Sequence, residues 1–334
     1  MYRELEPVTL KNGERVEAGV VVGPDLDWAD RVEGLLSHKG EIWLWGNEMT
    51  LRHDLGIDAL FYILHRDGVP FANMMNIEYR GVGLYGHVYT EPEDRRQGAA
   101  SALMPMLMED FRARGGKALF LGTGYDSHPY HLYAENGFVG LEPKSGQMAY
   151  YAESEEAFYS EYFCHLATET SRLGWAHWPA SIPLFAGDFK GTIRSTVMRL
   201  TGKASTEGPM IPLERDEIEK QEKGEGPRSV VLSLPETGAV AGLATCGPHP
   251  LWSGACTLDI YCHPDHWRQG FELLSTIEIP PAERLLAYCD SGFQEKEEVL
   301  SEAGFKPIAT YKNRVAADRA RTRFVDVREW EKVI

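Results

Sequence analysis

Two stretches of this chain carry the same short pattern, and that repeat constrains the fold more than any other feature. Val88–Gly98 reads Val-Tyr-Thr-Glu-Pro-Glu-Asp-Arg-Arg-Gln-Gly, and Ile260–Gly270 reads Ile-Tyr-Cys-His-Pro-Asp-His-Trp-Arg-Gln-Gly, with the proline and the Arg-Gln-Gly in register. A second pair follows each: Tyr133–Phe138 and Leu300–Phe305 both end in Gly-Phe. Val230–Leu234 and Ala239–Thr245, with Gly238 between them, add a strand pair ahead of the later copy, as strands precede the earlier one. A pattern repeated at this distance marks an internal duplication of one supersecondary unit. The 334 residues accommodate two domains, and 43% apolar content is enough to give each a core.

Within the first copy, Leu84–Val88 reads as a strand, and Thr90-Glu91-Pro92 ends it because proline has no N–H to donate to a neighbouring strand. Beyond Gly98, the residues Ala99, Ala100, Ser101, Ala102, Leu103, Met106 and Leu107 have helical spacing. A strand, a turn and a helix in that order leave unpaired backbone N–H groups at the helix start, where the macrodipole also favours an anion. Gly98, Ala99 and Ala100 keep the backbone bare enough for a phosphate to approach, and Arg95 and Arg96 bring positive charge to the rim.

Other spans can be assigned from pattern. Residues 14–22 suit a first strand, and a helix follows with Trp28, Val32, Leu35 and Leu36 on one face and Asp25 or Asp27 as its cap. Ala59–His65, Val69–Tyr79 and Val82–Thr90 form a meander separated by Asp67-Gly68 and Arg80-Gly81, both tight-hairpin signals. Lys117–Thr123 is a buried strand. Pro105 falls inside the helix that begins at Ala99 and predicts a kink or a shorter first helix. Ser154–Arg172 reads as a connecting helix, Trp175–Pro179 as a segment under the second sheet, and 202–228 as a polar loop with a short exposed helix paired at Asp216/Lys220 and Glu219/Lys223.

Taken together, Arg95-x-x-Gly98-x-Ala100 with Pro92 ahead, and Tyr133-x-x-x-Gly137-Phe138, resemble the GNAT superfamily of acyl-CoA-dependent N-acyltransferases over residues 59–150. The resemblance implies an α/β (α+β) fold of two tandem GNAT-like domains, each a mixed, mostly antiparallel central sheet flanked by helices. Residues 1–152 would be the acyl-CoA-binding catalytic domain and 153–334 a degenerate copy. It further implies an acetyl-CoA or other acyl-CoA co-substrate, with no metal. Val88, Tyr89, Thr90, Arg95, Arg96, Gln97, Gly98, Ala99, Ala100, Ser101 and Asp126 would hold the co-substrate, and the Val88 N–H would steady the oxyanion. Tyr133 would be the general acid, since a phenol stays protonated at neutral pH. Asp126 stands where the family usually carries asparagine.

The second copy has Phe271-Glu272 in place of Ala99-Ala100 and Leu300 in place of Tyr133. A bulky ring and a carboxylate repel a pyrophosphate, and leucine cannot give up a proton, so this copy is expected to be catalytically silent and to wall the acceptor cleft. The base is left open among Glu78, His87, Glu48 and a water chain; strand alternation sets His87 on the face opposite Val88.

Composition narrows the partners. The chain has 50 acidic against 34 basic residues, net −16, and no basic run, which excludes phosphate-backbone binding. No apolar stretch spans a bilayer and the N-terminus lacks a signal-peptide core. The expectation is a cytoplasmic monomer or homodimer that binds acyl-CoA and a small amine acceptor, with no nucleic-acid or membrane partner. Five cysteines without Cys-x-x-Cys spacing read as reduced thiols. His128/His131 and the Cys262–His266 cluster lack zinc spacing. Two further readings remain: an acyl-CoA-binding sensor without turnover, and an S-acyl or decarboxylating variant acting on a carrier-protein thioester.

Overall fold

The computed structural model describes residues 1–164 and 167–334, which divide into two units: Met1–Val139 with Met148–Phe158, and Gly140–Gln147 with Tyr159–Ile334. In the first, β1 (Tyr2–Thr9) and β2 (Arg15–Val22) lead to α1 (Leu26–Leu35) and α2 (Glu41–Arg52). A meander follows of β3 (Asp58–Arg66), β4 (Val69–Tyr79) and β5 (Val82–Thr90). Then come α3 (Ala99–Ala113), β6 (Ala118–Gly122), α4 (His128–Glu135), β7 (Val139–Gly140) and β8 (Gln147–Tyr151), and α5 (Glu155–Tyr162) runs across the division.

The hairpins form where expected because Asp67, Gly68, Arg80 and Gly81 all take positive φ, the requirement of a two-residue turn that matches strand twist. The Asp25 carboxylate accepts from the N–H groups of Asp27 (3.1 Å) and Trp28 (3.2 Å), so Asp25 is the cap of α1. Helix α3 does not stop at Pro105 but continues for 15 residues, burying Leu103, Met104, Leu107, Met108 and Phe111 on the sheet. Pro105 and Ser101 both face solvent, where water can satisfy the carbonyl that the proline leaves unbonded. Strand β1 and helix α2 were not anticipated; β1 is a charged edge strand with little buried face.

The first sheet has the order β1-β2-β3-β4-β5-β6-β8-β7, antiparallel from β1 to β5 and parallel between β5 and β6. In the second unit, β9 (Glu169–Arg172) precedes α6 (His177–Ala180), α7 (Ile182–Ala186), the short pair β10 (Ile193–Ser195) and β11 (Leu200–Thr201), and α8 (Glu207–Glu222). Next are β12 (Ser229–Ser233), β13 (Val240–Pro248), β14 (Ala255–Cys262), α9 (Gly270–Ser275), β15 (Arg284–Asp290), α10 (Gln294–Glu302), β16 (Lys306–Ala316) and β17 (Phe324–Val333). Its sheet runs β9-β12-β13-β14-β15-β17-β16, again with one parallel pair, β14 with β15. Strand for strand this is the order β2 to β7 of the first sheet, so the motif repeat coincides with a repeat of topology.

Two expectations change here. The span 154–172 is α5 followed by β9, with residues 165 and 166 outside the described residues. The stretch 202–228 holds a 16-residue helix with Met210, Ile211, Glu214 and Glu217 buried; its charged face hid the buried one in a sequence of low overall hydrophobicity.

Candidate functional site

The site begins where two strands part. β5 pairs with β6 only over Val82–Leu84 with Ala118–Phe120, and β5 then continues to Thr90 without a registered partner on that side. Parallel strands that separate open a slot lined by backbone N–H and C=O groups, which an extended ligand can fill as an added strand. On the other side, β5 carries a bulge: between the pairs Met75↔Gly86 and Asn73↔Tyr89, two residues, His87 and Val88, oppose Met74 alone. His87 is held at φ 51, and its carbonyl accepts from Asn73 Nδ2 at 2.9 Å. Bulges re-aim side chains.

The bulge breaks the two-residue period of β5, yet His87 and Val88 still meet different surroundings, as alternation expects: Val88 packs against the core that holds α3 and Tyr133, and His87 against Trp43. The His87 ring is 6% exposed, neither nitrogen has a hydrogen-bond partner among the described residues, and its edge meets Trp43 of α2 at 4.8 Å. Burial, then Lys39 and His38, pushes its pKa down to about 3, so the imidazole is neutral. Next along, Tyr89 stacks on His38 at 3.9 Å. His38 and Trp43 are site residues that the sequence reading missed; the unread helix α2 was the signal.

From Thr90 the chain turns through the short helical segment Pro92–Asp94. Arg95 Nε donates to the Thr90 carbonyl at 3.0 Å, and Arg96 (φ 66) and Gly98 (φ 88) curl the loop before α3. The Gln97 carbonyl accepts from Lys11 N at 2.9 Å, which fixes the loop against the end of β1. Gly98 is the cap residue, with no side-chain capping bond, and the first intrahelical bond there is Ala102 N to Gly98 O at 3.0 Å. The N–H groups of Ala99, Ala100 and Ser101 lie in the turn whose donors have no intrahelical acceptor. Asp94, the acid nearest the loop, is bound by Arg66 at 2.6 Å, so its charge is balanced. A diphosphate fits these donors.

Tyr133 lies on α4, whose start is capped by Ser127 Oγ accepting from Tyr130 N at 3.3 Å. Its ring is 5% exposed and meets Tyr85 of β5 edge to face at 5.2 Å. Burial and Tyr133 hold the Tyr85 hydroxyl well above its ordinary pKa. Ala99 and Tyr133 belong to the buried core of this unit, and Val88 and Ala100 pack against it, so strand end, helix start and tyrosine border the same core. Asp126 is not: it sits exposed at φ 58 and pairs with His131 at 3.0 Å. Glu78 is held by the Arg114 fork at 2.7 and 2.9 Å near the opposite end of β4, which removes it as a base, and Glu48 is exposed on α2.

Residues 45–138 match the model of the acetyltransferase (GNAT) family. This segment is a GNAT domain. Solved structures of similar fold include yncA from Salmonella typhimurium with its cofactor acetyl-CoA (16% identity, TM-score 0.37, covering 50% of this chain and 94% of that chain). Others are a ribosomal-protein-alanine N-acetyltransferase from Brucella melitensis (15%, 0.35, 50% and 99%) and an N-acetyltransferase from Staphylococcus aureus Mu50 (15%, 0.33, 50% and 99%). No curated protein matches the chain.

The second unit keeps the parted strands but departs from this arrangement at the turn and on the following helix. β14 and β15 also part after three paired residues, Ala255–Thr257 with Arg284–Leu286. Gly270 is in ordinary helical conformation at φ −59, and the helical segment Pro264–Gln269 runs straight into α9, leaving no open loop. A Cβ on Gly270 would meet Val299 Cγ2 at 2.9 Å, so glycine serves packing here, not a turn. Leu300 is fully buried on α10. Lys296, also fully buried, sends its ammonium to within 3.4 Å of the Ile193 carbonyl and 3.9 Å of Asp259 on β14.

Proposed function

We propose that the first unit transfers an acetyl or other short acyl group from an acyl-CoA to an amine of a small molecule or peptide by direct attack. The observation that carries this is the conjunction, in one GNAT domain, of a strand released from its neighbour after Leu84 and a helix start opened by Gly98 at φ 88. In this reading the loop Arg95–Ser101 binds the diphosphate, and Val88, Tyr89 and Thr90 hold the pantetheine arm by strand-like hydrogen bonds. The Val88 N–H donates to the oxyanion that develops on the thioester carbonyl. Tyr133 gives its proton to the departing sulfur, and the bond from carbonyl carbon to sulfur breaks as that to nitrogen forms. The nitrogen that forms the new bond gives up its proton to a water chain, which returns one to the Tyr133 phenolate, so the acid is restored as the amide forms.

The test is release of free thiol from acetyl-CoA in the presence of polyamines, aminoglycosides, amino acids or short peptides. Release that depends on one class of amine supports transfer. Tight acyl-CoA binding with no release for any acceptor overturns it in favour of a non-catalytic sensor. Release with a carrier-protein thioester and no amine points instead to the S-acyl or decarboxylating variant.

A further inference from the structure

The second unit contains an open cavity that none of the acyl-transfer chemistry uses. It has a volume of about 380 Å³, within the range of small-molecule sites, and lies between the β10–β11 hairpin and the face formed by β15, β17 and β16. The hairpin side is rigidly held. Asp259 accepts from Ser195 Oγ (3.2 Å), from Thr196 N and Oγ1, and from Val197 N (2.7 Å), while Asp290 accepts from Thr192 N (2.7 Å) and Ile193 N (2.8 Å).

Most polar side chains lining the cavity are already committed. Ser195 and Thr196 are bound to Asp259. The hydroxyls of Tyr288 and Tyr311 donate to the two oxygens of buried Glu329, at 3.1 and 2.6 Å, and Tyr288 also contacts His249 at 3.3 Å. Their rings, with Ile193, Val315 and Val327, make the wall apolar. The exceptions are Arg199 and Arg314, both exposed and both part of the lining. In a chain of net charge −16, neither guanidinium has a carboxylate within ion-pair distance among the described residues.

We propose that this cavity binds a small amphipathic carboxylate, with its apolar or aromatic body against Tyr288 and Tyr311 and its carboxylate on Arg199 and Arg314. A guanidinium is suited to this because its planar fork matches a carboxylate and it is weakly hydrated. Binding is separate from acyl transfer, since the cavity lies wholly within the second unit, where the segment before Gly270 leaves no open loop.

Calorimetric titration of the full chain, with no acyl-CoA present, tests this independently of the first unit's activity. The probes are 3-phenylpropionate, its neutral amide and the matching amine, 3-phenylpropylamine. The carboxylate should bind about tenfold or more tighter than the amide, and Arg199→Gln or Arg314→Gln should each weaken the carboxylate about tenfold while leaving the amide unchanged. Both arginines are exposed, so these variants fold; Val315→Trp, which fills the cavity, should abolish binding of both probes. Three results overturn the proposal: the amine binding most tightly, which would make Glu329 the recognition group; the double arginine variant binding 3-phenylpropionate as well as the parent; or no binding of any probe up to about 5 mM.

Discussion

Gly98 and Gly270 occupy matching places in two copies of one pattern, yet they solve different problems. At Gly98 the backbone must reach φ 88 to open a loop, and a Cβ there would find ordinary space, nothing nearer than Lys11 at 3.6 Å. At Gly270 the backbone is ordinary helix, and a Cβ would strike Val299. The same contrast holds at the parted strands. In the first unit a tyrosine on α4 packs against Tyr85 of β5; in the second a leucine takes its place on α10, and a buried lysine of that helix reaches Asp259 of β14. A repeated topology can thus be kept while the matching glycine serves a turn in one copy and packing in the other.

The largest effect should come from Gly98→Glu, which strains the φ > 0 position and sets a carboxylate among the loop N–H groups. Acyl-CoA affinity measured by calorimetry should fall by about 100-fold or more. Gly270→Ala should leave that affinity unchanged and cost about 1–3 kcal/mol of stability in urea melts. Coenzyme affinity that followed Gly270 instead would reverse the assignment of the two copies.

Tyr133→Phe removes one hydroxyl and should lower kcat about 100-fold with acyl-CoA affinity preserved, whereas Leu300→Tyr should add no activity. An unchanged kcat in Tyr133→Phe would make that residue a packing tyrosine like Tyr85.

Lys296→Met tests the buried lysine of the second copy. It removes a buried ammonium but leaves Asp259 with its hydrogen bonds from the β10–β11 turn, so the loss should be about 1–3 kcal/mol, with no gain of coenzyme binding. Measurable acyl-CoA binding by this variant to a chain that also carries Gly98→Glu would show that the lysine alone had closed the second site.

The smallest effect contrasts two buried carboxylates. Burial raises both, but Glu78 is held by Arg114, while Glu214 has no ion pair among the described residues and is raised to about 8 by burial and then by Glu217. An acid whose folded pKa exceeds its unfolded value stabilises most below the unfolded pKa and loses that contribution as pH rises through the folded one. Stability of the second unit should therefore fall between about pH 5 and 8, by up to about 1 kcal/mol per pH unit, and Glu214→Gln should flatten that slope in urea melts.

Much of the fold was legible because local rules act there alone. Asp67-Gly68 and Arg80-Gly81 fix two hairpins through φ, and Asp25 caps α1 through its own carboxylate. The long α8 was not legible, since its four buried positions are Met210, Ile211 and two glutamates. The turn before α3 and the start of that helix were readable from Gly98 and the alanines after it. The part played by His38, Trp43 and His87 was not, because it depends on a bulge in β5 and on a helix far from it in the chain.

The sequence alone determined that one strand-turn-helix pattern occurs twice, that only the earlier copy has small residues and a tyrosine at the expected places, and that the chain is strongly acidic, with a net charge of −16. Tertiary structure decided which backbone groups are left unpaired, where β5 parts from β6, that a bulge in β5 sets His87 against Trp43, and that Lys296 lies buried beside Asp259. Those outcomes depend on hydrogen-bond partners and burial supplied by residues distant in the chain, and a local pattern of residue types carries no record of either.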